Sequence, residues 1–354
     1  MSVQLYTGSL SLVRKSGVGQ AVEHQREMLR RTGISTTDRA SRAARVVHCN
    51  TVFPDSVLAA LWSRLWGKKV VFYGHSTMED FRDSFRGSNQ LAPLFRRWIQ
   101  FCYNSGNVII TPTEYSRQVL LGYGVRKPVY ALSNGVDTDF FAPSAARRAA
   151  FRKKYSLSDS DKAVLSVGHF IARKGLLEFV ELARSLPEVR FFWFGYTNLE
   201  LVPNNIRQAI AAAPDNLVFP GFVGREELRE AYCGCDVFAF LSHEETEGIV
   251  VLEALACGIP TVLRDIPVYH GWLHDGVEVY QAARDDALRR RVVGLLDGTL
   301  PSLAEAGLGL ARSRSMDAMG QKLREIYQRE NLPYQAPKTA PLRRPVLLRL
   351  THSR

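Results

Sequence analysis

Two glutamates set the chemistry to look for. In HEETEGIVVLEALACGIP (243–260), Glu245 and Glu253 bracket seven residues, ahead of a small-residue helix that stops at Gly-Ile-Pro. A helix opening at Gly248 leaves the backbone N–H groups of Ile249 and Val250 among its unpaired donors, and such an end attracts a diphosphate. Glu245 then lies in the loop over that end and Glu253 one turn further along. One carboxylate can therefore address a sugar hydroxyl and the other a ribose. Spacing alone is weak evidence, because acidic residues before and inside helices are common. A second stretch, VGHFIARKG (167–175), puts Arg173 and Lys174 where a helix opens. Cations disfavour that end of a helix, and a broken local rule tends to mark a site. There they suit the negative charge that develops on a departing diphosphate.

The first half offers weaker signals. SGVGQAVEHQ (16–25) follows an apparent first strand and opens a helix, where Gly17 and Gly19 permit close backbone approach. A lone G-x-G serves equally as a tight turn. In YGHSTMEDF (73–81), His75 follows a strand at the edge where ligands collect in open α/β sheets. Asp137-Thr138-Asp139 and Asp159-Ser160-Asp161 both spell D-x-D, a pattern able to hold a divalent cation; the first falls in SNGVDTDF near the domain connection and the second in a polar turn, and both read better as turn or capping acids. Cys233 and Cys235 form a C-x-C with no second pair at ligand spacing, so they read as core thiols rather than a zinc site.

Positioning these residues requires two sheets. Apolar runs at 44–49, 69–73, 107–111 and 128–132 predict buried parallel strands, with helices near 55–66, 91–105 and 113–122. A second series has strands at 163–168, 189–194, 217–219, 236–241 and 260–264, with helices near 174–186, 225–233 and 248–257. Two successive βα series imply two doubly wound α/β domains, expected over 1–140 and 141–314. The basic, Ala-rich stretch 142–155 between them contributes no strand. A last helix near 315–329 has no strand after it, and 315–330 is a candidate to cross back to the first domain. Residues 331–354 are Pro-rich and basic and predict a disordered tail.

The segment E-T-E-G-I-V-V-L-E-A-L-A-C-G-I-P (245–260) resembles the E-x7-E motif of glycosyltransferase family 4, E-x-F-G-x-x-x-x-E-A-x-A-x-G-x-P, with Glu247 in place of the usual Phe. VGHFIARKG resembles that family's phosphate loop: Lys174 matches its Lys, His169 takes its Arg position, and Arg173 can replace the charge. The resemblance runs over about residues 1–330, strongly in 130–275. It implies a GT-B fold, two Rossmann-like domains facing across a cleft, and a retaining transfer from a nucleotide-sugar donor. It further implies that Glu245 contacts the sugar hydroxyls and Glu253 the ribose, that the glycine loop faces the reaction centre, and that His75 supports the transferred sugar. His75 and Glu245 are thus the expected catalytic residues. Gly17, Gly19, Arg173, Lys174, Gly248, Ile249, Val250 and Glu253 are the expected donor-binding set, with no metal and no other cofactor. Glu247 is expected to alter donor selection. HSTMEDFRDSF (75–85) and LRDIPVYHGWLHDG (263–276) look most like bacterial diacylglycerol and glucosyl-diacylglycerol glycosyltransferases. That favours UDP-glucose or UDP-galactose as donor and a membrane lipid as acceptor, with a soluble glycan or phospho-lipid acceptor as the alternative.

Charge agrees with an anionic partner for the first half. Residues 1–140 carry 18 basic and 10 acidic side chains, residues 141–330 carry 23 and 25, and the tail carries five basic and none acidic. Leu91, Leu94, Phe95, Trp98, Ile99 and Cys102 recur at helical spacing beside Arg96 and Arg97, while Trp62 and Trp66 lie one turn apart beside Arg64, Lys68 and Lys69. A basic amphipathic helix with Trp suits an anionic membrane surface, although every crossover helix also needs an apolar stripe for its sheet. No stretch reaches the ~20 apolar residues of a spanning helix. The opening MSVQLYTGSL has no basic segment followed by an apolar core, and five cysteines make an odd count. A cytoplasmic protein, peripheral on the inner face of the cell membrane, is the expectation. A nucleic-acid partner would rest on charge alone, and none is expected.

Overall fold

The computed structural model describes residues 2–13, 16–82, 87–200 and 202–333; most of the expected tail and the last three residues of HSTMEDFRDSF, 83–85, lie outside them. Among the described residues the strands form two six-stranded parallel sheets. The first contains β1 (Ser2–Tyr6), β2 (Ser35–Thr37), β3 (Ala44–Cys49), β4 (Lys69–Tyr73), β5 (Val108–Thr111) and β6 (Val129–Ala131), in the order β2-β1-β3-β4-β5-β6. The second contains β7 (Ala163–Val167), β8 (Arg190–Phe194), β9 (Leu217–Gly221), β10 (Val237–Phe240), β11 (Thr261–Arg264) and β12 (Tyr280–Ala282), in the order β12-β11-β10-β7-β8-β9. Strands such as VVHC and VFAF are buried throughout, as parallel sheets covered on both faces demand. In the second sheet the order reverses between β7 and β10, so the loops after these two strands lie side by side.

Sequence reading missed β2 and β12, three residues each, and the helices Asn204–Ala211, Asp285–Asp297 and Ala304–Ser313. The stretch 142–155 holds a helix, Ala145–Lys154. It packs on Arg225–Gly234 and places Phe151 in the second core. The helix Met316–Arg329 returns to the first sheet: Met319, Leu323, Ile326 and Tyr327 share a core with Val3, Leu5, Met28 and Leu29. The chain therefore passes between the lobes twice, and the two passages pair. Val136 N–H donates to Arg314 O at 3.0 Å and Met316 N–H to Val136 O at 3.1 Å. Arg31, on the helix Gly17–Arg31, bonds Asp137 at 2.8 Å and Asp139 and Asp317 at 2.9 Å each. The first D-x-D pair is thus held by a cation beside the hinge, more than a turn-capping role requires. In the second, Asp161 caps its turn by accepting from Ser158 N–H at 2.6 Å.

Candidate active site between the lobes

The loops after β7 and β10 meet at the switch point, where His243 N–H donates to Arg173 O at 2.8 Å. Two glycines make the approach possible. Gly175 has φ +76°, and a Cβ there would lie 2.3 Å from Leu241 O. Gly248, at φ +86°, ends the loop in the left-handed region and starts the helix Ile249–Ala256, a conformation costly for any residue with a Cβ. These loops wall a cavity of about 370 Å³, which faces Ser16, Gly17, Val18, Gln20, His75 and Asp80 of the first lobe, a size suited to a small ligand.

Glu245, Glu253, Arg173, Lys174, Gly248, Ile249 and Val250 all line this cavity, as do His75 and Gly17. Gly19 does not; it is buried in the first turn of its helix, which Ser16 caps by accepting from Val18 N–H. Arg173 and Lys174 lie in a 3₁₀ turn, Ala172–Lys174, one step before the helix Leu176–Arg184. Lys174 Nζ donates to Glu245 Oε1 at 2.5 Å, and Ser242 Oγ donates to the same oxygen at 2.6 Å. Burial pushes the Glu245 carboxyl up, but the Lys174 and Arg173 charges and these hydrogen bonds outweigh it and hold its pKa below the usual range. Glu245 is therefore an anion with one oxygen engaged. Glu253 differs. It is 3% exposed, accepts from Tyr232 OH at 3.1 Å, and burial lifts its pKa to about 7.

His75 is buried, and burial lowers its pKa to about 4, so its ring is neutral at neutral pH. Its Nε2 lies 3.3 Å from Asn50 Oδ1, and Asn50 is locked by reciprocal bonds with Gln25. A ring with Nε2–H facing Asn50 keeps Nδ1 as an acceptor.

The first lobe also grips the loops after β7 and β10. Tyr115 OH donates to Glu244 Oε1 at 3.0 Å, Thr113 Oγ1 to Thr246 O at 2.9 Å, and Arg173 Nη1 pairs with Asp80 Oδ1 at 2.8 Å. Glu247 is fully buried. Its Oε2 accepts from the backbone N–H and Nδ2 of Asn134 at 3.0 and 2.8 Å, and its Oε1 lies 3.9 Å from Arg314 Nη1. The residue that departs from the E-x-F-G pattern lines the cavity, yet its carboxylate is directed at the two chain passages of the hinge. Arg225 was missed: it opens the helix Arg225–Gly234, stacks over the Phe140 ring at 4.4 Å and lines the cavity. Its signal was the one used for Arg173 and Lys174, a cation at a helix N-terminus. Tyr196 and Phe222, both large and exposed, complete that side. Among the described residues no cluster of three His, Cys, Asp or Glu side chains has metal-binding geometry, and all five cysteines are free thiols.

Two family models match, one in each lobe. Residues 19–140 match Glycosyltransferase Family 4, and residues 147–305 match Glycosyl transferases group 1. The processive diacylglycerol alpha-glucosyltransferase of Acholeplasma laidlawii is 37% identical over 331 residues, 93% of this chain and 98% of that one. The alpha-galactosylglucosyldiacylglycerol synthase of Streptococcus pneumoniae is 26% identical over 73% of this chain and 71% of its own length. Among solved structures, Anabaena HepE in complex with UDP-glucose superposes with a TM-score of 0.74 at 14% identity, covering 93% of this chain and all of that one. The fold is GT-B, and the chain belongs to the family 4 glycosyltransferases.

Proposed function

We propose that the chain is a retaining hexosyltransferase that moves glucose or galactose from its UDP donor to a diacylglycerol or glucosyl-diacylglycerol at an anionic membrane surface. The observation that carries this reading is the meeting of Glu245, Lys174, Glu253 and the open N-terminus at Ile249 in one cavity faced by His75. The diphosphate lies against Lys174 and the Ile249 and Val250 N–H groups, Glu253 takes the ribose, and Glu245 takes hydroxyls of the sugar. As the acceptor oxygen bonds to the anomeric carbon, the bond to the phosphate oxygen breaks and the acceptor proton passes to the departing phosphate. Charge growing on the diphosphate is met by Lys174 and the helix end, which act more strongly in the transition state than before it. Among the described first-lobe residues of the cavity wall the one carboxylate is Asp80, paired with Arg173. A paired carboxylate is a poor base, which favours retention over an inverting attack. No metal is needed in this scheme.

The lipid side rests on the names of the two relatives and on the first lobe's surface. On the helix Pro54–Leu65 and the residue after it, Leu58, Trp62, Leu65 and Trp66 are 59–80% exposed; Leu91, Leu94 and Phe101 are exposed on Ser88–Asn104. The stripe read along 91–102 divides: Ile99 and Cys102 face the core, and Trp98 is half-buried with its Nε1–H on Val52 O at 2.7 Å. Trp98 therefore leaves the membrane-facing set. Arg64, Lys68 and Arg96, from or just after these helices, donate to the backbone carbonyls of Ser105, Ser41 and Gly122. Among the described residues no helix is long and apolar enough to cross a membrane.

Purified protein should transfer label from UDP-glucose or UDP-galactose, offered beside GDP-mannose, to diacylglycerol or glucosyl-diacylglycerol in vesicles, with an α-anomeric product by NMR. A β-anomer would overturn retention. Equal transfer to a soluble glycan without lipid would replace the lipid acceptor with the soluble one.

A further inference from the structure

The loop that carries His75 also carries Asp80, and the two residues enter the same cavity wall. Asp80 sits in the short helix Met78–Phe81, capped by Thr77. Tyrosines hold this segment firmly. Tyr103 OH bonds both the N–H and the O of Ser76, and Tyr123 OH accepts from Met78 N–H at 2.8 Å while donating to Glu79. The next residue, Phe81, stacks on Phe95 at 4.1 Å, on the helix whose outer face exposes Leu91 and Leu94. From this anchored position Asp80 reaches across the cleft to Arg173 at 2.8 Å. Arg173 is 9% exposed, also donates to Glu244 O at 2.6 Å, and keeps a buried Nε with no hydrogen-bond partner.

We propose that Asp80 is a positioning residue that competes with the donor's diphosphate for Arg173. The inference rests on the donor reading of this cleft and goes beyond it. A diphosphate entering beside Lys174 brings two or more negative charges toward a guanidinium already paired with a carboxylate. Each anion weakens the other's hold, because like charges near one cation compete. Donor binding therefore loosens the tie to the 75–82 loop, and the loop's grip on Arg173 in turn opposes donor binding. Asp80 makes the state of the donor site felt at His75 and, through Phe81 and Phe95, at the apolar helix face.

The test is titration of the full-length chain with UDP by calorimetry, using GDP where UDP gives no heat, for wild type, Asp80→Asn, Asp80→Glu, Arg173→Ala and Lys174→Ala. Asp80→Asn should bind the nucleotide about three- to tenfold more tightly, the scale of one partly exposed charge contact. The same variant should show a lower KM for the donor together with a lower kcat for transfer to lipid. Asp80→Glu should restore wild-type affinity. A substitution that merely loosened the fold would weaken binding and raise KM. Unchanged or weaker binding in Asp80→Asn, with Arg173→Ala weakened, overturns the proposal and leaves the donor site standing. If Arg173→Ala and Lys174→Ala both bind the nucleotide as wild type does, the cleft is not the donor site and both readings fall.

Discussion

Glu253→Gln separates stability from binding at a single buried carboxyl. Glu253 is 3% exposed, its hydrogen bond comes from Tyr232 OH, and burial lifts its pKa from 4.5 to about 7. A carboxyl with a raised folded pKa binds its proton more tightly in the folded state. Its favourable contribution is complete below about pH 4.5 and is lost as pH rises through about 7. Above that window the fold carries an ionised, buried group at about 1.4 kcal/mol per unit of displacement, on the order of 3 kcal/mol for the whole of it. Glutamine keeps an acceptor for Tyr232 and has no charge to bury. At pH 8 the variant should melt higher than wild type by roughly 5 °C, the shift such a free energy gives in a chain of this size. At pH 5 the two should melt together. Nucleotide binding should run the opposite way. A ribose hydroxyl donates best to an ionised carboxylate, so wild-type affinity for UDP should tighten between pH 6 and pH 8, whereas the variant should bind more weakly and without that slope. Paired melting curves and calorimetric titrations read both effects. A variant no more stable than wild type at pH 8, or one that keeps the pH slope, refutes the reasoning.

Glu245→Gln and Lys174→Ala should each lower kcat by at least about a hundredfold with little change in melting temperature, the scale for losing a transition-state contact; near-wild-type turnover in both would remove the site assignment. Turnover should survive EDTA, and loss restored by Mn²⁺ would send attention back to the aspartates at 137–139 and 159–161. Glu247→Ala removes the acceptor for both Asn134 donors and the neighbour of Arg314. It should lower stability by about 1–3 kcal/mol for the stranded buried donors, read as a lower melting temperature, and reduce kcat more than donor affinity. Full-length protein should bind phosphatidylglycerol-rich vesicles at low salt, bind neutral ones weakly and release as salt rises, since each basic residue near the surface adds about 1 kcal/mol and is screened. Trp62→Ala with Trp66→Ala should weaken sedimentation with vesicles, and a chain ending at Asn331 separates the first lobe's contribution from the tail's five cations.

The sheets were legible because their strands are apolar runs flanked by turn residues, a pattern any buried parallel strand must show. β2 and β12 escaped for the opposite reason. STT and YQA are edge strands of three residues with polar members, and an edge strand covered on fewer sides needs no apolar run. The helix at 304–313 buries Gly307 and Ala311, so its apolar stripe is thin, and in the helix at 285–297 three successive arginines interrupt the stripe that Leu288, Val292 and Leu296 form. The second-lobe half of the site was legible because it is local. Glu245, Gly248 and Glu253 lie within nine residues, and Arg173 and Lys174 break a helix rule on their own.

Beyond the helix expected to cross back to the first domain, what could not be read were the side-chain contacts made between lobes. The Asp80–Arg173 and Tyr115–Glu244 pairs join residues 93 and 129 positions apart, and Glu247 meets Asn134 from 113 positions away. No period or spacing rule reaches that far. Glu247 shows the consequence. As a sequence departure it invited a reading about sugar choice, because the pattern places it between two ligand-facing positions. In the fold, the left-handed turn at Gly248 separates it from the helix end, and its Oε2 is held by the chain passage at Asn134 while Oε1 faces Arg314 at 3.9 Å without a hydrogen bond. A buried carboxylate needs donors to offset its lost hydration, and the hinge supplies them where a phenylalanine would need only volume. The departure therefore bears directly on how the lobes are joined, at a residue that also lines the cavity.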